Sequence, residues 1–361
     1  MTSLIDLLGE PWLLAGGGVL IGFAFGFFAQ RSGFCLRAAV IEFWRQQPGQ
    51  KLAVWLLAFS AAVVAVQALI LWGAMDVTAA RQLATRGSLS GALVGGLLFG
   101  AGMIMTRGCA SRLLVLAANG NLRALLSGLI FAVTAQAALA GVLSPLRNII
   151  SQWWTVEGGP PRDMLSLTRV GPWGGLLFGG IWLAAALWYA VRSEWGLWKW
   201  VGGLGTGLMV AAGWWFTAAV SRNSFEIVPV QSLTFSGPSA EWLMRILALP
   251  SPPIGFDAGV LPGVFAGSFV AAAASGTLRL EGFRDGSGMR RYIAGSVLMG
   301  FGAMLAGGCA VGAGVSGGSV FAVTSWLTLA GMWTGAGLTD RWLDVRKPVP
   351  HQAHAAALAA P

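Results

Sequence analysis

The sequence has very few charged residues. Only 10% of its 361 residues are Asp, Glu, Lys or Arg, and its mean hydropathy is +0.70. Soluble globular domains carry about 25% charged residues, because charged side chains are the ones that stay in water. The shortage excludes a soluble globular protein and predicts a chain that lies mostly within a lipid bilayer.

Histidine and cysteine are also scarce. The two histidines both lie in the Pro- and Ala-rich segment 344–361, which is predicted to be disordered. The three cysteines, Cys35, Cys109 and Cys309, lie too far apart in sequence for any metal-binding or C-x-x-C redox spacing. The sequence therefore predicts no metal and no cofactor.

Long uncharged runs make up most of the chain. A span needs about 20 apolar residues as a helix, and the last run is long enough for two, with a glycine-rich middle. These runs predict an all-α polytopic membrane protein with about nine transmembrane helices plus short re-entrant helices. The runs are 11–30, 52–75, 87–106, 124–146, 170–191, 200–221, 258–278 and 292–339.

Lysine and arginine are distributed unequally between the two sides of the membrane. With nine spans, one side receives more than twice as many of them as the other. The positive-inside rule then predicts a bacterial inner-membrane protein with its N-terminus outside and its C-terminus in the cytoplasm. The net charge of +9 comes from short loops that meet anionic lipid, so the bilayer, and not nucleic acid, is the predicted partner. Some of these basic residues could serve a substrate instead.

Two segments of the chain resemble each other. Residues 95–110 read GGLLFGAGMIMTRGCA, and residues 295–310 read GSVLMGFGAMLAGGCA. Five predicted spans, an odd number, separate the two cysteines, so the copies should run in opposite directions. This arrangement predicts an inverted repeat about an axis in the membrane plane, which is typical of transporters.

The repeat divides the chain into two predicted halves within one membrane domain. The N-terminal half is 1–165, with spans 1–4, Cys35 and Cys109. The C-terminal half is 170–340, with spans 5–9 and Cys309.

A glycine-rich break accompanies each cysteine. Residues 307–318 read GGCAVGAGVSGG, and each glycine costs about 1 kcal/mol relative to alanine in a helix interior. Broken backbone at membrane depth has to line a cavity or pack against protein, and the free N–H groups of a half-helix attract anions. We therefore predict a binding site at these breaks, with Gly33, Gly108, Gly307 and Gly308 as its glycines.

The residues beside the cysteines suit a sulfur-bearing anion. A thiol is a soft, weak hydrogen-bond donor. Arg107 and Arg112 flank Cys109, where they could attract an anion or anchor the span at the cytoplasmic edge. The simpler alternative is that small residues allow tight helix packing and the cysteines act as apolar packing residues.

The motifs SGFCLRA, GCAS and GGCAVG resemble the YeeE/YedE family of sulfur-compound transporters, over about residues 12–340. The resemblance implies an hourglass, with short helices dipping in from both faces. It also implies that thiosulfate passes between the thiols of Cys35, Cys109 and Cys309, and that a small cytoplasmic sulfurtransferase is a candidate partner. Arginines beside Cys109 depart from the small residues usual in the family, which leaves the sulfur species open.

The predicted function is import of a sulfur-containing anion, thiosulfate first, by a transporter and not an enzyme. One alternative is a transporter or channel for another sulfur or selenium species, or for a different solute, with cysteines that merely pack. The other is a membrane thiol enzyme, either a sulfurtransferase or a disulfide exchanger. Such an enzyme needs an activated thiolate, and only Arg107 and Arg112 could lower a thiol pKa here.

Two further expectations concern residues outside the cysteine segments. The basic stretches 31–51 and 279–291 are candidates for docking a sulfurtransferase, or simply loops that set topology. Glu42 and Glu226 lie near span ends, so the sequence gives little support to a proton relay through carboxylates.

Overall fold

A computed structural model describes residues 9–47, 49–76, 78–171, 173–192, 195–224, 226–282 and 286–345. The described chain is mostly helical, with one two-stranded sheet. The predicted tail 344–361 lies outside the described residues from 346 onward. Its first residue, Asp344, belongs to a π-helical turn, Arg341–Val345.

The α-helices differ widely in length. In chain order they are α1 (Glu10–Ser32), α2 (Leu36–Trp44), α3 (Gln50–Leu71), α4 (Arg81–Ala84), α5 (Leu89–Met105), α6 (Ala110–Ala118), α7 (Leu122–Ala140), α8 (Ser144–Gln152), α9 (Met164–Thr168), α10 (Gly174–Arg192), α11 (Leu197–Asn223), α12 (Ser236–Leu247), α13 (Phe256–Ala274), α14 (Gly286–Leu305), α15 (Gly317–Ser319) and α16 (Val323–Asp340).

Seven helical segments of the described chain are long and apolar enough to cross a membrane, or eight if one bent pair counts as a span. The chain is therefore a multi-pass helical membrane protein, as predicted. The predicted count of nine stays a prediction. The helix that would complete it, α16, has 18 residues but carries four threonines and Asp340, which lower its hydropathy.

Glycines let the long helices pack in parallel pairs at backbone distance. Along α1 and α13, a Cβ added at Gly22 would lie 2.6 Å from the carbonyl oxygen of Val260, and Gly26 meets Val264 one turn later. Helices α5 and α16 pack in the same way, where Gly96 meets Thr328 and Gly100 meets Met332. Close backbone approach through small residues replaces the hydrophobic driving force that lipid does not supply.

The two repeated segments, α5 and α14, pack against each other antiparallel. A Cβ added at Gly102 would lie 2.5 Å from the carbonyl oxygen of Gly295, and one at Gly302 would lie 2.7 Å from that of Gly95. The two contacts are therefore counterparts in the repeat: Gly102 faces Gly295, and Gly302 faces Gly95. Contacts of this kind are reciprocal, as they are across a two-fold axis.

The linker between the predicted halves is a folded strap. It contains α8, strand β2 (Thr155–Val156) paired antiparallel with β1 (Gly87–Ser88), a 3₁₀ turn at Pro160–Arg162, and α9. Asp163 caps α9, and the Met164 N–H donates to the Phe321 carbonyl oxygen at 3.0 Å. The strap therefore holds the chain just beyond the break at Cys309.

Candidate functional site

Each cysteine occupies the same local position, the N-cap of a short helix that follows a long one. Cys35 lies between α1 and α2, Cys109 between α5 and α6, and Cys309 between α14 and a π-helical segment, Ala310–Ser316, that continues into α15. The third break bends the chain by 40°. The predicted helix breaks are therefore present at all three cysteines, with an extended backbone at each sulfur-bearing residue.

A left-handed residue lies two positions before each cysteine. The φ angles are 67° at Gly33, 59° at Arg107 and 78° at Gly307. A residue in the left-handed conformation ends an α-helix by redirecting the last carbonyl groups of that helix. Glycine adopts this conformation without a Cβ clash. Arg107 is the non-glycine member, and the conformation costs it roughly 1–2 kcal/mol.

The neighbouring glycines are restricted to different degrees. At Gly308 an added Cβ would lie 2.7 Å from the backbone nitrogen of Ala313, whereas at Gly108 it would meet a Leu113 methyl group at 3.3 Å. At Gly33 it would lie 2.7 Å from the Lys51 Nζ. Gly308 is thus required by backbone packing, whereas a side chain can move aside at the other two.

Two of the three thiols lie close enough to interact. The side chains of Cys35 and Cys109 interact with each other, and all three cysteines are unpaired and buried. The Cys109 Sγ also lies 3.4 Å from the Ser111 Oγ. Residues 74 positions apart in sequence therefore form one thiol pair at the starts of two short helices.

Cys309 belongs to a separate part of the site. Its Sγ accepts a hydrogen bond from the Gly312 N–H at 3.5 Å, at the start of the π-helical segment. Next to Gly312 lies Thr234, which would block any side chain at that position. The segment after Cys309 nevertheless contacts α6, so the second and third breaks meet inside the protein.

A line of aromatic rings connects the two parts of the site. Phe34, next to Cys35, contacts Phe25 at 6.3 Å between ring centroids, and Phe25 contacts Phe235 at 5.5 Å. All three rings are buried, and Thr234 precedes the last of them. These buried rings pack between Cys35 and Thr234, which lies beside the segment after Cys309.

Phe235 reveals a fourth break that sequence reasoning missed. It is the N-cap residue of α12, just as the cysteines cap the other short helices. No cysteine marks this break, so the cysteine pattern did not predict it. The Ser-Gly-Pro run that follows Phe235 was the available signal, since glycine and proline interrupt an apolar helix.

A cavity of about 570 Å³ opens on the side of Cys309. Gly307, Ala313 and Thr234 line its inner end, beside that cysteine. Four arginines from the strap and the segment 81–86 line its walls, and we call this cavity the vestibule. They are Arg81, Arg86, Arg147 and Arg162.

The vestibule arginines were also missed, because the sequence assigned them to topology. Arg162 is only 6% exposed, and its guanidinium donates to the Thr324 Oγ1 at 2.8 Å and to the Thr85 carbonyl oxygen. The predicted nine-span topology places the four on the side with fewer basic residues, where the positive-inside rule does not call for them. That excess of arginine in adjoining loops is the signal that could have identified them.

The arginines flanking Cys109 have different surroundings. The Arg112 Nη1 donates to the Gln30 Oε1 at 3.4 Å, and its guanidinium acts electrostatically on Cys35, as does that of Arg37. Arg107 is exposed and faces Asp344. Burial opposes ionisation of Asp344, but the pair with Arg291 and the nearby positive charges hold its pKa below the ordinary value.

Comparison with known proteins covers nearly the whole chain. The family model described as sulphur transport matches residues 31–338. The thiosulfate transporter TsuA of Spirochaeta thermophila is 25% identical over 344 residues, which are 90% of this chain and 98% of that protein. The thiosulfate transporter TsuA of Escherichia coli K12 is 25% identical over 350 residues, 89% and 93% of the two chains.

Proposed function

We propose, since this chain belongs to the sulphur transport family, that it imports a sulfur-containing anion across the bacterial inner membrane, with thiosulfate the first candidate. The predicted resemblance to YeeE/YedE sulfur-compound transporters is confirmed by the family match and by both relatives. The prediction of a transporter and not an enzyme agrees with the name of the family and with the names of both relatives.

One observation carries the proposal. Three buried cysteines cap three short helices at breaks in apolar segments, and the side chains of Cys35 and Cys109 interact. Free N–H groups at such helix starts favour an anion, and the thiols can hydrogen-bond its sulfur. Weak bonds at several successive positions hold an ion without trapping it.

The vestibule supports entry at Cys309. Its four arginines attract an anion over a long distance, because charge lining a concave, low-dielectric cavity focuses the field. From there the ion would pass Cys309 and the buried rings of Phe25 and Phe235, and reach the thiols of Cys35 and Cys109. Arg112 and Arg37 then provide positive charge at the exit.

The reciprocal packing of α5 and α14 supports the predicted inverted repeat with halves 1–165 and 170–340. In this arrangement Cys309 faces outside, and the Cys35–Cys109 pair faces the cytoplasm. The vestibule would then form the outer half of the predicted hourglass. The N-terminus would then lie outside and the C-terminus in the cytoplasm.

A small cytoplasmic sulfurtransferase remains a proposed partner on the exit side. The docking candidates were 31–51 and 279–291, of which 48 and 283–285 lie outside the described residues. Within the part described, Arg45 and Arg291 are engaged in ion pairs with Asp340 and Asp344, at 2.9 and 2.7 Å. A partner would therefore meet a surface whose charge is partly neutralised.

Replacing Cys109 or Cys309 with Ala tests the proposal. Thiosulfate uptake into proteoliposomes should fall to background for Cys109→Ala and Cys309→Ala, because a methyl group cannot bond the ligand sulfur. Ser127→Ala is a matched control, since Ser127 is a buried small residue on α7 whose Oγ has no partner. Wild-type uptake by both cysteine variants would refute the thiol path.

A further inference from the structure

The vestibule contains two carboxyl groups among its arginines. Glu241, on α12, and Asp257, in the first turn of α13, both line it and interact electrostatically with each other. A carboxylate relay has little support in the sequence, since acidic residues appear there only near span ends. The fold brings these two to the mouth of the anion path.

Within the part of the chain that the structure describes, neither carboxyl group forms an ion pair. The ion pairs recorded among the described residues are Arg45–Asp340 and Arg291–Asp344. Arg245, one turn after Glu241, instead donates to the carbonyl oxygens of Pro252 and Pro253, at 2.9 and 3.0 Å. The Oδ1 of Asp257 is buried without a hydrogen-bond partner, whereas Gln231 interacts with the carboxyl group. A buried, unpartnered carboxyl oxygen is a ready position for a proton.

The surrounding charges come from several elements. Arg81 of α4 acts on both carboxyl groups, and Arg245 acts on Glu241. Arg86, Arg147 and Arg162 line the other walls of the vestibule. Glu10 begins α1, two turns before α1 meets Phe256, and α6, with Arg112, packs against α13. Burial raises the pKa of Glu241, an effect that Arg245 and Arg81 partly offset.

We propose that Glu241 and Asp257 form a proton-binding site that takes up a proton when an anion occupies the vestibule. This inference rests on the proposed function. Two like charges in a confined cavity favour retention of one proton between them, and an arriving dianion increases that preference. Proton and anion therefore bind cooperatively, and each strengthens the other by the same factor.

The direction in which thiosulfate affinity changes with pH follows from the charges in the vestibule. The arginines stay charged at all relevant pH values, so protonation of the acid pair makes the vestibule more positive at lower pH. Thiosulfate stays fully ionised near neutrality. Its affinity should therefore fall as pH rises, by about tenfold between pH 6 and pH 8, within the usual range for coupled sites.

Binding calorimetry on the full-length protein in detergent tests the proposal. Thiosulfate is titrated at pH 6, 7 and 8 in buffers of different ionisation enthalpy, which reports the protons taken up per anion. Wild-type protein should take up about half a proton per anion between pH 6 and pH 8, because a tenfold change in affinity over two pH units corresponds to that average. The double variant Glu241→Gln, Asp257→Asn imitates the protonated pair, so it should bind with pH-independent affinity at least equal to that of wild type at pH 6.

Controls separate this inference from the proposed function. Glu226→Gln removes an exposed carboxyl group from the nearby loop and should keep the full pH dependence. Thiosulfate binding without proton uptake, or with the same pH dependence in the double variant, overturns the proton site alone. Absence of thiosulfate binding to wild-type protein at every pH contradicts the proposed function, and this inference with it.

Discussion

The segments around Cys109 and Cys309 have similar backbone conformations, but they differ in the charge of their side chains. In each, a long helix ends, a left-handed residue follows, and the cysteine caps the next helix. Two positions before the cysteine, the first segment has Arg107 and the second has Gly307. Three positions after it, the first has Arg112 and the second has a glycine.

The surroundings explain this difference. Beside Cys309, Thr234 occupies the space that a side chain at Gly312 would need. The positive charge on that side therefore comes from other parts of the chain, through the arginines of the vestibule. Beside Cys109, Arg112 reaches Gln30 and acts on Cys35. On the Cys109 side, the positive charge thus comes from the repeated segment itself. On the Cys309 side, it comes from the arginines of the vestibule.

The largest expected effect concerns the repeated glycines at which the two segments pack against each other. Gly102→Ala and Gly302→Ala should each destabilise the folded protein by about 1–3 kcal/mol, because an added methyl would press on the backbone of the opposite helix. The two losses should be similar, since the positions are counterparts in the repeat. Thermal unfolding in detergent measures both.

Gly128→Ala on α7 is the matched control for this pair. Open space surrounds Gly128, so alanine there should be neutral or stabilising by about 1 kcal/mol at most. If all three variants unfold at the same temperature, α5 and α14 do not pack as described.

A smaller effect is expected where the segments differ. Arg112→Gln should raise the KM for thiosulfate uptake about five- to tenfold, because a charged hydrogen-bond donor near the thiol pair is worth about 1–1.5 kcal/mol to an anion. Arg112→Lys retains the charge and should recover part of the loss. An unchanged KM for Arg112→Gln would mean that this arginine only anchors the span.

The smallest effect concerns the left-handed position. Arg107→Gly should stabilise the protein by up to about 1 kcal/mol by removing the Cβ clash at positive φ, and Gly307→Ala should destabilise it by a similar amount. Since Arg107 is exposed and faces Asp344, uptake should change little in Arg107→Gly. A large loss of uptake would assign Arg107 to the anion path.

Local features were predictable because they depend on neighbours in sequence. Uncharged runs predict apolar helices, and glycine density predicts where those helices break. The positions of Gly33, Gly307 and Cys309 followed from these patterns. The left-handed conformation of Arg107 was not predicted, because composition does not distinguish a left-handed arginine from a helical one.

The chemistry of the site depended on distant residues. Neither the proximity of Cys35 to Cys109 nor the shared cavity of Glu241 and Asp257 follows from spacing. Phe235 caps a fourth short helix without any cysteine to mark it. These groups meet only because glycine faces bring the long helices to backbone distance and fix which helix ends adjoin.

By itself, the sequence determined a helical membrane protein with cysteines at three helix breaks, because hydropathy and backbone propensity act over a few turns. The tertiary structure alone decided which thiols lie close together, which aromatic rings pack beside them, and which arginines and acids share the vestibule. The physical reason is that electrostatic and packing contacts depend on distance in space, and helix packing sets those distances.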